Sequence, residues 1–252
     1  MLNGFYMSAA GMITQAQRVD VIANNIANVN TTGFKKDTMA FNEIYNESVY
    51  ERRSGSKIND IAYQMSGGVL LDSTNTMFKA GSFRKTGSDF NLAIQGKGFF
   101  KLSDDEDVLY TRAGLFEVSP DGYLINPGNN FRVQNTNDSP IYVGGAEFKV
   151  LRDGTVLLDG TPASRIKLVD FNNTEKLRKV GNNMFRVIDE EPEQDVVDKN
   201  LFQGYLEESN ADGISEMVEL INASRAYQMN ANFIRTQDGA LQSAINTLGR
   251  VG

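Results

Sequence analysis

The chain is 252 residues long with 40% hydrophobic residues, enough for a sizeable core and too apolar for a wholly disordered segment. Its net charge of −7, with Lys35-Lys36 and Arg52-Arg53 only as pairs, gives no basic surface for nucleic acid. It has no His and no Cys, which excludes Ser-His-Asp and Cys-His nucleophiles, thiolate or imidazole metal sites, and disulfides.

The first predicted element is a helix. Leu2, Phe5, Ala9, Met12, Ala16, Val19, Ala23 and Ile26 follow one another at alternating spacings of three and four, an a/d heptad seam, with Gln15, Gln17, Arg18 and Asp20 on other faces. Three Ala and one Val among these positions let a partner helix come close. Asn28-Val29-Asn30-Thr31-Thr32-Gly33 breaks the pattern, with Gly33 as a left-handed stop. Asn24, Asn25, Asn28 and Asn30 present amides that pair in both directions, a hydrogen-bonding strip between subunits or a frayed and capped helix end. Residues 1–16 have no basic n-region and no continuous apolar run, so no cleaved secretory signal is expected. No stretch of about 18 apolar residues occurs, so no membrane insertion is expected.

Residues 44–78 carry neither helical nor strand periodicity and read as an extended connector. From about Lys79 to Leu206, short β-type runs alternate with turn signals: 91–94, 98–102, 108–111, 115–118, 131–134, 141–143, 148–151, 156–158, 166–171, 184–188 and 202–206. Asp121-Gly122, Asp153-Gly154 and Asp159-Gly160 are dipeptides that join antiparallel strands. Gly96-Lys97-Gly98 lacks the spacing and the following helix of a phosphate loop; Gly96 and Gly98 predict a tight turn instead. Asp104, Asp105, Glu106 and Asp107 lack the EF-hand spacing and central Gly of a cation loop, and read as a solvated hairpin tip. Arg112 and Arg225 are candidate ion-pair anchors between subunits, worth about 0–1 kcal/mol each if exposed.

The last element is again a helix. Ser209, Asn210 and Asp212 offer N-cap oxygens, and Glu216 gives the first turn its favoured negative charge. A three/four ladder runs through Met217, Leu220, Ser224, Tyr227, Ala231, Ile234, Asp238, Leu241, Ile245 and Leu248, widened near its start by Ile214, Val218 and Ile221. The expected fold class is α+β. Helices from 1–43 and 207–252 pair as a coiled-coil or bundle domain, the connector spans 44–78, and an antiparallel β-rich domain is inserted over 79–206. A lone two-helix hairpin with such small-residue seams is marginal in water, so the ends are expected to order fully only when many copies pack together.

Several blocks then carry a resemblance. Ser8-Ala9-Ala10-Gly11-Met12 and the run from Asp20-Val21-Ile22-Ala23-Asn24-Asn25 to Thr32-Gly33-Phe34-Lys35 resemble the N-terminal signature of the flagellar basal-body rod and hook family. Asn91-Leu92-Ala93-Ile94-Gln95-Gly96-Lys97-Gly98-Phe99-Phe100, Tyr110-Thr111-Arg112-Ala113-Gly114 and Asp121-Gly122-Tyr123-Leu124 are similar to the β-domain signature of its rod members. Gln203-Gly204-Tyr205-Leu206-Glu207-Glu208-Ser209-Asn210, with Glu216-Met217-Val218, Ile221 and Arg225-Ala226-Tyr227, resembles its C-terminal block, although Ala211 stands where Val is usual. The resemblance implies a self-assembling, non-enzymatic subunit without cofactor, exported by the flagellar type III apparatus and stacked with itself and other rod and hook proteins into the shaft that crosses the periplasm. It also implies terminal helices inside and β domains outside. The opening Met1-Leu2-Asn3-Gly4-Phe5-Tyr6, the Val169-Asp170-Phe171 and Leu177-Arg178-Lys179 segments and the chain length are more similar to the proximal-rod type than to the distal-rod type. Two other readings exist: a carboxylate enzyme of glycosidase type, which needs two acids facing one cleft, and a secreted module displaying the β domain for binding.

Overall fold

The computed structural model describes residues 2–45, 66–104, 107–188, 191–196 and 199–248. Two compact units divide the chain: Met1–Ile26, Asp37–Asn75 and Gly213–Gly252 form the first, and Ala27–Lys36 with Thr76–Asp212 the second. The first unit holds helix α1 (Leu2–Ala27), helix α2 (Gly213–Leu248) and a two-stranded sheet of Asp37–Tyr45 and Ser66–Thr76. The helix expected within 1–43 thus ends at Ala27, and a strand begins ten residues later. The cause is local: the Asn25 amide donates to the Asp37 carbonyl at 3.0 Å and accepts from its N–H at 3.0 Å, turning the chain out of helix into strand. Ser66–Thr76 lies in the stretch read as an extended connector; the rest of that stretch from 46 to 65, with Arg52-Arg53, falls outside the described residues.

In the second unit the strands follow the turn signals. One nine-stranded sheet takes the order Leu177–Gly181, Met184–Val187, Val108–Thr111, Phe99–Ser103, Arg132–Val133, Leu124–Ile125 and Glu117–Val118, with Leu168–Asp170 and Gln194–Asp195 as a side branch on Phe99–Ser103. Phe148–Val150, Thr155–Leu158 and Thr161–Arg165 form a meander whose turns are the Asp153-Gly154 and Asp159-Gly160 dipeptides. Asp159 and Gly160 both take positive φ, 50° and 78°, the combination a two-residue hairpin turn demands. Asn182 and Asn183 do the same, at 48° and 57°, between Leu177–Gly181 and Met184–Val187. The run expected at 202–206 is split at Gly204 (φ 79°): Leu201–Gln203 pairs with Leu92–Ile94, and Tyr205–Glu207 with Phe83–Lys85. The stretch 141–143 is no strand but makes isolated bridges nearby.

Inward-facing residues of these strands form one core of Leu92, Phe100, Leu102, Leu124, Leu168 and their neighbours. A second, aromatic cluster joins Phe99, Tyr110, Phe171 and Phe185, with edge-on ring contacts such as Tyr110 to Phe171 at 4.9 Å. No helix among the described residues is long and apolar enough to cross a membrane.

Candidate assembly surface and the junction of the chain ends

Contacts between α1 and α2 run antiparallel, recurring every seven residues along α1. A Cβ added to Gly4 would meet the Gln237 amide nitrogen at 2.7 Å, and one added to Gly11 would meet that of Asn230 at 3.0 Å. Arg18 pairs with Glu219, and Asn25 donates to the Glu216 carboxylate at 3.2 Å. Gly4, Gly11, Arg18 and Asn25 occupy one heptad position, and the residues they meet descend α2. Ser8, Ile22 and Asn25 are buried on this line of α1, and Glu216 and Ala223 on α2. The intrachain seam is therefore built mostly of glycines, amides and one ion pair, with Ile22 and Ala223 as its fully buried apolar residues. Such a seam fixes register by hydrogen bonding and lets the backbones approach, but it buries little apolar surface.

The apolar line is displaced from this seam by about one residue, a 100° step around the helix. Phe5, Ala9, Met12, Ala16, Val19 and Ile26 are only half-buried, and Ala23 is exposed. On α2, Leu220, Ala231, Ile234 and Leu241 are half-buried. Met217, Ile221 and Ile245 stand out at 55%, 51% and 67% exposure, with Tyr227 and Arg225 also exposed. The side chains of Leu2 and Leu248 lie outside the described residues. Where small residues of the two helices meet, Ala16, Val19, Asp20, Ser224, Tyr227 and Gln228 line a hollow of about 390 Å³.

The asparagine strip does not act as a set. Asn24 is exposed, Asn28 accepts from the Thr31 hydroxyl at 3.2 Å, and Asn25 is only 2% exposed because its amide is engaged by Asp37 and Glu216 within the chain. Asn25 thus has no hydrogen-bonding face for a neighbour, contrary to the sequence expectation. The same holds for Arg112. It is no surface anchor but a buried group of the β unit, 3% exposed.

Arg112 belongs to a junction that gathers the stretches of chain leading to both helices. Its Nε donates to Glu207 Oε2 at 3.0 Å, and its Nη1 and Nη2 donate to the carbonyls of Gly98 and Gly96 at 2.6 and 2.8 Å. This explains the Gly96-Lys97-Gly98 turn: φ values of 102° and 112° aim both carbonyls at one guanidinium. Lys35, wholly buried, donates to Glu207 Oε1 at 2.5 Å and to the Lys79 carbonyl at 3.0 Å. Burial, reinforced by the Arg112 charge and opposed by Glu207, draws the Lys35 ammonium below its usual pKa. Glu207 is also wholly buried; its Oε1 accepts from the Gly81 N–H at 3.0 Å and its main-chain carbonyl from the Gly33 N–H at 2.8 Å.

Gly33 has the left-handed φ of 68° expected of it, but it lies six residues beyond the end of α1 rather than capping it. A Cβ there would come within 2.4 Å of the Ala113 nitrogen, so the chain can pass over Arg112 and Ala113 only as glycine. Asn210 likewise is a tie rather than a helix cap: it accepts from the Lys36 N–H at 2.7 Å and donates to the carbonyls of Met77 and Lys79 at 2.7 and 3.0 Å. Ser209 accepts locally from the Ala211 N–H at 3.1 Å, and Asp212 immediately precedes the first residue of α2. Gly122, at φ 85°, closes the turn after Asp121 by donating to the Ser119 carbonyl at 2.8 Å. Asp104 and Asp107 bond each other's backbone at a hairpin tip, Asp105 and Glu106 lying outside the described residues. The periodicity of the sequence carried no sign of Lys35 and Glu207 as partners, because they meet across 172 positions.

Comparison with known proteins adds three family matches in chain order. Residues 5–35 match the flagella basal body rod protein model, 93–158 the flagellar hook protein FlgE/F/G D1 domain, and 203–247 the flagellar basal body rod FlgEFG protein C-terminal region. The flagellar basal-body rod protein FlgG of Caulobacter vibrioides is 35% identical over 260 residues, covering 94% of this chain and 95% of that one. FlgF of the same organism, also a basal-body rod protein, is 30% identical over 259 residues and covers the whole of both chains. FlgG of Bacillus subtilis is 30% identical over 266 residues, 98% of this chain and 99% of that one.

Proposed function

From the premise that the chain belongs to the flagellar basal-body rod family, as these full-length similarities establish, we propose that it builds into the rod through the apolar faces of α1 and α2. It is a structural subunit of the flagellar basal body, and its family is not enzymatic. The observation that carries the proposal is the mismatch at the helix pair. The seam inside the chain is polar and glycine-lined, whereas Phe5, Met12, Val19, Met217, Ile221 and Ile245 are left partly or fully uncovered. An apolar stripe of this length on a soluble subunit is the mark of a protein contact. Met217, Leu220, Ile221, Tyr227, Ala231, Ile234, Leu241, Ile245 and Leu248 of one copy, with Leu2, Phe5, Ala9, Met12, Ala16, Val19, Ala23 and Ile26, are proposed to face neighbouring subunits. The hollow at Ala16 and Ser224 would take a neighbour's side chain.

The partners are further copies of the chain and other rod and hook proteins, reached by the flagellar type III export apparatus, in the part of the shaft that crosses the periplasm. The opening Met1-Leu2-Asn3-Gly4-Phe5-Tyr6 and the Leu177-Arg178-Lys179-Val180-Gly181 segment support the proximal-rod type. Deleting the gene and imaging basal bodies by electron microscopy tests the proposal. The expected result is a non-motile strain whose basal bodies stop within the rod; hook and filament assembled in full would refute it. A secreted binding module would also keep working without α2, whereas a rod subunit truncated at 212 fails to restore motility.

A further inference from the structure

The buried charges at the junction do not balance. Lys35 and Arg112 are two cations around the single carboxylate of Glu207, and all three are at most 3% exposed. They come from different parts of the chain. Lys35 sits on the arm Ala27–Lys36 that follows α1, Arg112 just beyond the strand Val108–Thr111 in the central sheet, and Glu207 at the end of the strand Tyr205–Glu207, ahead of α2. Removing one of them has consequences that differ by residue. If the arm lifts away, Arg112 and Glu207 remain as a balanced pair, and Arg112 keeps the carbonyls of Gly96 and Gly98. If the stretch holding Glu207 lifts away, Lys35 and Arg112 are left as two buried like charges without a carboxylate, which low-dielectric surroundings penalise heavily. Asn210 works in the same direction. It sits on the C-terminal stretch and holds the Lys36 N–H, and it shares the Lys79 carbonyl with the Lys35 ammonium.

We propose that Glu207 and Asn210 act as a one-way latch: the N-terminal arm can dock on the β unit only after the C-terminal stretch is in place, although the arm comes earlier in the chain. The stretch does not need the arm in return. Other contacts of the arm do not supply this order. The Lys179 ammonium donates to the Lys35 carbonyl at 2.5 Å, and the Asn183 amide donates to the Thr32 carbonyl at 2.8 Å. Both secure the arm once docked, but neither neutralises Lys35. The latch keeps the root of α1 undocked until nearly the whole chain is present, and it is a property of the β unit, independent of where the subunit stands in the rod.

Native-state amide exchange on the full-length chain tests the direction of the dependence. The reporters are the Gly33 and Lys36 N–H groups for the arm, and the Glu208 N–H, bonded to the Ser82 carbonyl at 2.8 Å, for the C-terminal stretch. Glu207→Gln is expected to speed exchange at Gly33 and Lys36 by about ten- to a hundredfold, because two buried cations lose their counter-charge. Asn210→Ala is expected to speed the same two amides without touching the charges, and serves if Glu207→Gln does not fold. Lys35→Met is expected to leave Glu208 exchange within about twofold of wild type and to affect the arm less than Glu207→Gln does, since it removes the surplus cation. Two results overturn the latch. One is arm amides unmoved by both Glu207→Gln and Asn210→Ala; the other is Lys35→Met speeding Glu208 as much as Gly33.

Discussion

The β unit and the helix pair of this chain treat apolar residues in opposite ways. In the β unit, Phe100, Leu102, Leu124, Ile166 and Leu168 are wholly enclosed, and the ionic groups brought inside, Lys35, Arg112 and Glu207, are paired and hydrogen-bonded. In the helix pair, glycines and amides occupy the seam, while Ile214, Met217, Val218 and Ile221 lie at the surface. A unit that closes its own core is built to stand alone; one that spends its contact line on register and leaves its apolar face bare is built to be completed by others. On the proposed reading, stability resides in one part of the chain and assembly in the other.

That division predicts effects of different kinds for substitutions in the two units. Ile221→Asp puts a charge on the bare face, and abolishes assembly and motility while unfolding free energy stays within about 0.5 kcal/mol of wild type, as denaturant titration of the purified monomer will show. Leu102→Ala does the reverse. It opens a cavity in the closed core and costs about 2–5 kcal/mol in the same titration, and the subunit still enters rods at temperatures where it remains folded. Gly239→Ala lies inside α2 with open space around the new methyl, and is expected to raise helix stability by about 0.5–1 kcal/mol, seen as greater helicity by circular dichroism at elevated temperature.

The smallest effect is one of pH. The Thr155 N–H and hydroxyl, together with Arg165, hold the Asp153 carboxyl down at about 2. A carboxyl depressed on folding stabilises the fold above its unfolded pKa, near 4, and that contribution fades as pH falls from about 4 to 2. Asp153→Asn should therefore lower stability by a constant amount above about pH 5, and its gap to wild type should close as pH falls from about 4 to 2.

Much of the β unit was legible because its turns are chemically forced. Asp153-Gly154, Asp159-Gly160 and Asp121-Gly122 mark hairpins wherever they stand between short apolar runs. Period alone located both helices and named their apolar faces. What it could not give was what covers those faces: Phe5 and Met12 recur every seven residues, and so do Gly4 and Gly11, which make the actual contact. The strand Asp37–Tyr45 was hidden because its capture depends on Asn25, a residue that reads equally well as a surface amide. Arg112 looked like a surface charge for the same reason. Its burial is decided by Glu207, and a pairing 95 residues apart leaves no periodic trace.

The cysteine-free chain allows a direct test of whether neighbours cover the bare helix face. A single Ile221→Cys variant can be labelled with a thiol reagent, first as purified monomer and then in isolated basal bodies. Rapid labelling of the monomer and labelling at least tenfold slower in basal bodies is the predicted result. Equal rates in both would show that α2 keeps this face open to water in the rod, and that the helix pair is not the assembling surface.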